Sequence, residues 1–399
     1  VLTTLIASFT TLLTLAGLAF CALSLWSARS FYRNVRRRRP ITDYPPVTIL
    51  KSLKGLDTGL YDALASHCRQ DYPGALELIL GLSDANDPAA AEILRLQEAF
   101  PEASIRLVHC PEVLGANGKV SNLIQLLRHA RFDHIIISDG DIAVAPGYLR
   151  RILADFQTKG KKPVGMVTAP YRGEAEGTLG SRLEALGIAT DFFPGVLSAR
   201  LIERGLRFGL GSTLAVTREA LSAAGGLVPL VDQLADDYQL GARIAAAGYR
   251  VVLSGEVVAT AVPAYSFAEY WAHQLRWART VRDSRRAGYL GLALTYAVPW
   301  ALVNIAANGA DGPSLALGAI VFGVRLVVAL SIGVGLLGDR QTLRDLWLVP
   351  LRDCLGLALW FWSFADNTVE WRGEQFLLRR GVLERRARPA VQAPPARGL

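Results

Sequence analysis

Residues 2–27 contain no charged side chain and consist mostly of Leu, Ala, Thr and Phe. An apolar run of that length crosses a bilayer as one helix. Arg29, Arg33 and the block 36–39 follow it directly. A cleaved leader carries its positive charges before the apolar run. Charges placed after it predict an uncleaved anchor with its basic end in the cytoplasm. Residues 40–285 are far more polar and suggest no further span. Apolar runs return at 288–307 and 314–337, separated by the turn-like stretch 308–313, and together predict a transmembrane hairpin. Arg325 in its second arm must then face protein or a polar cavity. A third run, 346–365, has Arg352 and Asp353 at its middle. A full span there would put the Arg-rich stretch 379–388 outside, against the cytoplasmic bias of basic residues. A partly embedded or re-entrant segment is expected instead.

Between these runs the pattern alternates. Residues 47–50 read as a strand, 58–69 as a helix, 76–82 as a strand and 89–99 as a helix. A strand at 104–108, a helix at 120–130 and a strand at 134–137 follow. Strands alternating with helices imply an α/β domain built on a mostly parallel sheet. Ligands of such sheets bind beyond the carboxyl ends of the strands. Asp84 and Asp139 both fall at such ends. Farther on, Leu234, Tyr238, Leu240 and Ile244 mark a helical face. Two short runs, Thr368–Trp371 and 375–378, flank Arg372-Gly373 as a β-hairpin. Residues 387–399, rich in Pro, Ala and Arg, read as disordered.

Composition supports this division. The chain has 399 residues, 51% of them apolar, and a mean hydropathy of +0.27. That suits one domain of roughly 200–250 residues plus membrane segments. The net charge of +8 is concentrated in Arg blocks. The first block abuts an apolar run, which favours an anionic membrane surface over nucleic acid as its partner. The four cysteines form no CxxC pair, so neither a disulfide framework nor a zinc site is expected. Reduced thiols fit a domain facing the cytosol.

The candidate chemistry is carried by short polar signals. Asp139-Gly140-Asp141 is a DxD pattern that follows a buried strand. Two carboxylates at that spacing can share Mg²⁺ or Mn²⁺ and so neutralise a diphosphate, although DxD alone also makes plain turns. Lys119 lies in GANGKVSNL, where a glycine-bearing loop meets a helix start and suits an anion; its bland reading is a solvated lysine. Lys51 and Lys54 are placed after the first strand, and Lys54-Gly55 could approach a nucleotide. Asp236 and Asp237 form a like-charge pair, which raises the pKa of one member. Asp237 is assigned the role of base and Asp236 that of helix cap or support. The stretch 267–279, FAEYWAHQLRWAR, is aromatic and basic at helical spacing. It reads as an interfacial helix from which Arg276 could face a diphosphate and Trp277 a sugar or acceptor.

As a set, LKSLKGLD (50–57), DYPGALELILGLSDANDPA (71–89), GANGKVSNL (115–123), ISDGDIAVAPGYL (137–149), LADDY (234–238), HQLRW (273–277), PLRD (350–353) and VEWRG (369–373) resemble the ceramide glucosyltransferase family. This family is a branch of the processive-synthase-like family 2 glycosyltransferases. The resemblance runs from about residue 45 to 378. It implies a GT-A fold, inversion at the anomeric carbon, a UDP-sugar donor and a membrane-lipid acceptor. It places metal and donor aspartates at Asp84 and Asp139, a base at Asp237 and an Arg-Trp pair at Arg276-Trp277. His273 departs from the family pattern, which opens this motif with Gln or Arg. HxLRWAR is similar to a bacterial subgroup associated with hopanoid biosynthesis, which implies N-acetylglucosamine transfer to a hopanoid polyol.

The organisation expected is an anchor at 1–28, a cytosolic GT-A catalytic domain at 40–258 and interfacial helices at 259–287. Membrane helices at 288–366 and a tail at 367–399 complete it. The expected activity is hexose transfer, glucose or N-acetylglucosamine, from a UDP-sugar to a lipid hydroxyl at a membrane, that of a bacterial cytoplasmic membrane under the hopanoid resemblance. Asp139 and Asp141 hold the metal, while Lys54, Asp84, Lys119, Asp139 and Asp236 serve the donor. Asp237, Arg276 and Trp277 serve the chemistry. A processive polysaccharide synthase is the rival enzyme, and a non-enzymatic membrane protein is the rival outside enzymes.

Overall fold

The computed structural model describes residues 1–371 and 373–385. Arg372 and the segment 387–399, expected to be disordered, lie outside the described residues. The strands are β1 (Val47–Leu53), β2 (Leu76–Leu82), β3 (Ser104–His109), β4 (His134–Ile137), β5 (Ile142–Ala143), β6 (Val164–Thr168) and β7 (Tyr171–Ala175). They continue with β8 (Leu214–Thr217), β9 (Arg250–Leu253), β10 (Val258–Val262), β11 (Thr368–Trp371), β12 (Glu374–Arg379) and β13 (Val382–Arg385).

The main sheet has the order β3-β2-β1-β4-β8-β6-β9. β1, β2, β3 and β4 run parallel, and β8 runs antiparallel to both β4 and β6. Alternation within the strands divides the core. Leu50, Ile79, Ile135 and Ile137 face one side, and Ile49, Leu78, Leu80 and Ile136 the other. Both faces are covered, which is why these strands read as nearly unbroken apolar runs. The first core does not end at the domain edge. It runs on through Cys21, Phe31, Ala297 and Val321, so one face of the sheet continues into the membrane helices. A small sheet, β5-β10-β7, lies beyond the main one; its β10 begins at Val258.

The helix Leu2–Arg36 buries one stripe that includes Thr10, Leu13, Thr14, Gly17, Cys21 and Ser24. Small and hydroxylated residues let helices approach closely within a bilayer. A Cβ on Gly17 would come 2.6 Å from the Ala297 Cα. The Thr11 hydroxyl donates to Asn304 Oδ1 at 2.7 Å. Among the described residues, three helices are long and apolar enough to span: Leu2–Arg36, Leu179–Ile202 and Gly312–Val334. A pair bent by 52°, Arg286–Thr295 and Ala297–Ala307, adds a fourth if counted as one span. The segment Leu179–Ile202 corrects the reading that 40–285 holds no apolar helix of that length. Charges at Arg182, Glu184 and Asp191 conceal it in sequence, and 61% of its apolar window is buried within the protein. The helix Val349–Trp362 has 14 residues, roughly 21 Å at 1.5 Å each, short of a hydrocarbon core about 30 Å thick.

The expected two-stranded hairpin is an antiparallel sheet of three strands, β11-β12-β13. Val369, Phe376, Leu378 and Leu383 bury Leu234. Leu234 N donates to Gly381 O at 3.1 Å, and Leu383 N to Asp232 O at 2.8 Å. The tail is thereby fastened to the segment that leads into Asp236-Asp237.

Candidate active site

The loop after β4 is held from below by a lysine. Lys51 lies inside β1, not after it as the sequence reading had it, and is wholly buried. Its ammonium donates to Asp139 O at 2.7 Å, Ser138 Oγ at 3.2 Å and Ile142 O at 3.4 Å. Burial pushes it down to about 7, against the upward pull of Asp141 and Asp139. A strand lysine facing the core costs desolvation unless every donor is used, and here three acceptors on the DxD loop use it.

Above that loop four charged side chains converge. Asn117 caps the helix Gly118–Leu127, its side chain accepting from Val120 N. Lys119 on the first turn reaches Asp139 Oδ1 at 2.6 Å and Asp236 Oδ2 at 3.3 Å. Lys119 is therefore an ion-paired bridge rather than a solvated lysine. Asp236 does not cap its helix, because Ala235 holds that position and makes no side-chain bond. Its carboxylate turns to Lys119 instead. Asp237 Oδ1 accepts from Tyr238 N at 2.7 Å. A Cβ on Gly211 would lie 3.1 Å from Asp139 Oδ2 and 3.3 Å from Asp237 Oδ2. Those two carboxylates thus border one small space, into which a side chain at 211 would crowd. Burial, followed by the charge of Asp236, raises Asp237 to about 6. Burial also raises Asp236, with Lys119 opposing.

Asp141 stands on the other side of the loop, where its carboxylate accepts from the Thr260 hydroxyl on β10. Burial raises its pKa, and Asp139 adds to the rise. Asp84 and Lys54 lie farther out, both exposed. Asp84 Oδ1 accepts from Asn86 N at 2.9 Å. Gly55, at φ +70°, donates its N–H to both oxygens of Asp87. Asp84 and Asp139 follow strands separated by β1.

The helix Phe267–Ser284 opens with a Ser266/Glu269 capping box. From it Trp277 joins an aromatic wall: its ring is 6.0 Å from Phe192 and 5.6 Å from His273, and Phe192 is 5.5 Å from Tyr171. Burial raises the Tyr171 hydroxyl well above its ordinary value, and the charges of Asp237 and Glu184 push the same way. Tyr171 pairs with Val258 on β10, the strand whose Thr260 binds Asp141, so the wall and the acidic cluster are neighbours. Arg276 is half-buried on this helix, and its charge acts on Tyr265. His273 Nδ1 lies 2.8 Å from Glu184 Oε2. Glu184, Tyr171, Gly211 and Thr260 were all missed in sequence, since none lies in a short recognisable pattern. His273 was noted only as a departure.

For a divalent ion the donor set is modest. Among the described residues no three acidic, His or Cys side chains form a metal cluster. Asp139 and Asp141 supply two carboxylates, which is the share a protein gives Mg²⁺ when phosphate oxygens and water complete its shell. Two carboxylates would suit an ion whose shell is completed by a ligand's oxygens and water, not a permanently caged one.

The profile described as Glycosyl transferase family 21 matches residues 9–383. Ceramide glucosyltransferase 3 of Caenorhabditis elegans is 25% identical over 276 residues, covering 68% of this chain and 59% of that protein. A ceramide glucosyltransferase of Gibberella zeae is 36% identical over 137 residues, or 32% of this chain and 25% of that protein. The chain thus spans well under two thirds of these relatives' lengths. A mannosyltransferase from Pyrobaculum calidifontis, solved with GDP-Man and Mn²⁺, superposes with a TM-score of 0.50 at 22% identity. That alignment covers 87% of this chain and 99% of the other. The fold is accordingly the mixed α/β, GT-A-like architecture of glycosyltransferases.

Proposed function

The chain belongs to glycosyl transferase family 21, and on that footing we propose that it transfers a hexose from a UDP-sugar to a hydroxyl of a membrane lipid. The reaction is an inverting displacement. The observation that carries it is Asp237, bordering the same small space as Asp139 across Gly211, with its carboxyl raised to about 6. A base is most useful when its pKa lies near the working pH. Asp237 takes the proton of the lipid hydroxyl as that oxygen attacks the anomeric carbon. Lys119 pairs with both Asp139 and Asp236 and orients them beside Asp237. Asp139 and Asp141 would hold Mg²⁺ or Mn²⁺, which would supply charge neutralisation for the departing diphosphate. Arg276 supports the same charge. Lys54 and Asp84, exposed at the ends of β1 and β2, serve the nucleotide end of the donor. Trp277 and its aromatic neighbours shape the acceptor side.

The apolar helices Leu2–Arg36 and Gly312–Val334 keep this site beside a bilayer, with the catalytic domain on the cytoplasmic face. Ceramide or a hopanoid polyol is the acceptor, and glucose or N-acetylglucosamine the sugar. The test is lipid product analysis by mass spectrometry. Purified protein receives UDP-glucose and UDP-N-acetylglucosamine together, with ceramide, a hopanoid polyol and Mg²⁺. A hexosylceramide or an N-acetylhexosaminyl hopanoid supports the reading and selects the acceptor. Absence of any glycolipid product overturns it.

A further inference from the structure

The helix Val349–Trp362 carries an arginine whose surroundings go beyond this reading. Arg352 is 7% exposed. Its Nη2 lies 3.2 Å from Gln274 Oε1 and 3.5 Å from Asp191 Oδ2. Among the described residues neither Nε nor Nη1 meets a hydrogen-bond acceptor, and the wholly buried Tyr270 hydroxyl has no partner either. Two glycines make room for the guanidinium. A Cβ on Gly187 would lie 2.5 Å from Nε, and one on Gly356 would lie 3.0 Å from Nη1 and 2.5 Å from the Tyr296 ring. Buried donors left unpaired are costly, and an ionisable side chain among membrane helices marks a functional place by default.

This place adjoins the aromatic wall of the candidate active site. Asp191 is a quarter exposed and lies in a π-helical turn, Ile188–Phe192, a distortion frequent at functional sites. Its neighbour Phe192 stands against Trp277, and Gln274 follows His273. The charges are already balanced: Arg352 is matched by Asp191, and Arg325 makes a two-pronged pair with Asp353 at 2.8 and 2.7 Å. A phosphate would add an unmatched negative charge beside Asp191, whereas a neutral group that accepts hydrogen bonds adds none.

We infer that Arg352, with Asp191, Gln274 and Tyr270, forms a seat for the neutral polar head of the acceptor lipid, one that offers hydroxyl or amide oxygens. The inference rests on the proposed lipid acceptor and identifies what holds it. Arg352 donates from Nε and Nη1 to the head, and the lipid's reacting hydroxyl then points past Trp277 towards Asp237.

The test uses the full chain in nanodiscs with two photoreactive lipids, a diazirine ceramide and a diazirine phosphatidylglycerol. Crosslinks are mapped by mass spectrometry. The ceramide probe is expected to label peptides containing 187–192 or 352–356, and the anionic probe to label them at least tenfold less. Arg352→Lys keeps the charge opposite Asp191 but loses the planar fork. It should reduce ceramide labelling about tenfold with UDP binding unchanged. Tyr270→Phe, which removes one unpartnered hydroxyl and should fold normally, should reduce it several-fold. Unchanged labelling in both variants, or equal labelling by the anionic probe, overturns the seat. Sugar transfer is measured on the same preparations. Labelling of the seat without transfer supports the seat and counts against the proposed reaction, and transfer to lipid without labelling overturns the seat alone.

Discussion

The half of the molecule from β1 to β4 and the half from residue 179 to 385 hold their charges in different ways. In the first, Lys54, Asp84 and Asp139 stand at strand ends, at least partly exposed to water. In the second, charged side chains are paired across long stretches of chain and mostly buried: Glu184 with His273, Arg182 with Asp345, Asp191 with Arg352 and Arg325 with Asp353. Water solvates a charge at a strand end without help. Among membrane helices a lone charge is expensive, so each must bring its partner. Lys51 and Glu77 are exceptions in the first half, and both obey the rule of the second: Lys51 spends its donors on the DxD loop, and Glu77 accepts from Thr48, Arg106 and Arg131. On the proposed reading, the donor side therefore presents the exposed charges of Lys54 and Asp84, while the acceptor side offers mainly aromatic rings and the donors of Arg352.

Breaking the comparison at its catalytic junction has the largest expected effect. Asp237→Asn should lower transfer by about 10³-fold, within the range of general-base contributions, with UDP-sugar affinity changed only a few-fold. Full activity in that variant would sink the assignment. Next comes a buried pair. Arg325→Met strands Asp353 and should cost about 3–5 kcal/mol, read as thermal unfolding in detergent. Arg325→Met/Asp353→Leu should recover most of that loss. Lys54→Ala, on the solvated side, should change stability by under about 0.5 kcal/mol. An equal loss in Lys54→Ala and Arg325→Met would erase the distinction.

A smaller effect is expected at the tail. Phe376→Ala loosens the β11-β12-β13 sheet against Leu234. Because that sheet braces the approach to Asp236-Asp237, kcat should fall several-fold with the donor KM unchanged. Donor and acceptor terms falling together would mean general unfolding. The smallest effect is a shift with pH. Asp237 must be ionised to act, so kcat/KM should decline as pH falls through about 6. Asp236→Asn removes a negative neighbour that raises Asp237, and should move that acid limb to lower pH. Movement upward would show that the link through Lys119 matters more. Stability carries the opposite sign. A carboxyl raised in the folded state favours its protonated form, so its contribution is full below the unfolded pKa. That contribution is lost as pH rises from about 3.8 towards 6.

Much of the donor half was legible because its signals are local. Leu76–Leu82, Ala89–Ala99 and His134–Ile137 match their expected bounds, since period and breakers mark them. DxD and the paired Asp236-Asp237 stand out as short patterns, and the structure brings Lys119, Asp139, Asp236 and Asp237 together as a set. The cap expected of Asp236 failed because the presence of Lys119 beside it is a tertiary fact. Lys51 was misplaced because a strand lysine looks solvent-facing until the loop above it is seen. Glu184 and Asp191 disguised an apolar helix of spanning length, and their partners lie 89 and 161 positions away in the chain.

The sequence by itself determined the alternation of strand and helix, the apolar runs and the carboxylates at the ends of strands. These follow from side-chain period, hydropathy and the special residues of turns, all of which act within a few positions. Only the tertiary structure decided that Asp139 and Asp237 share the space over Gly211 and that Lys51 props the DxD loop from beneath. It alone also decided that Arg352 meets Asp191 beside the aromatic wall. Those contacts join residues far apart in the chain, and their partners are chosen by packing and by the cost of burying an unmatched charge.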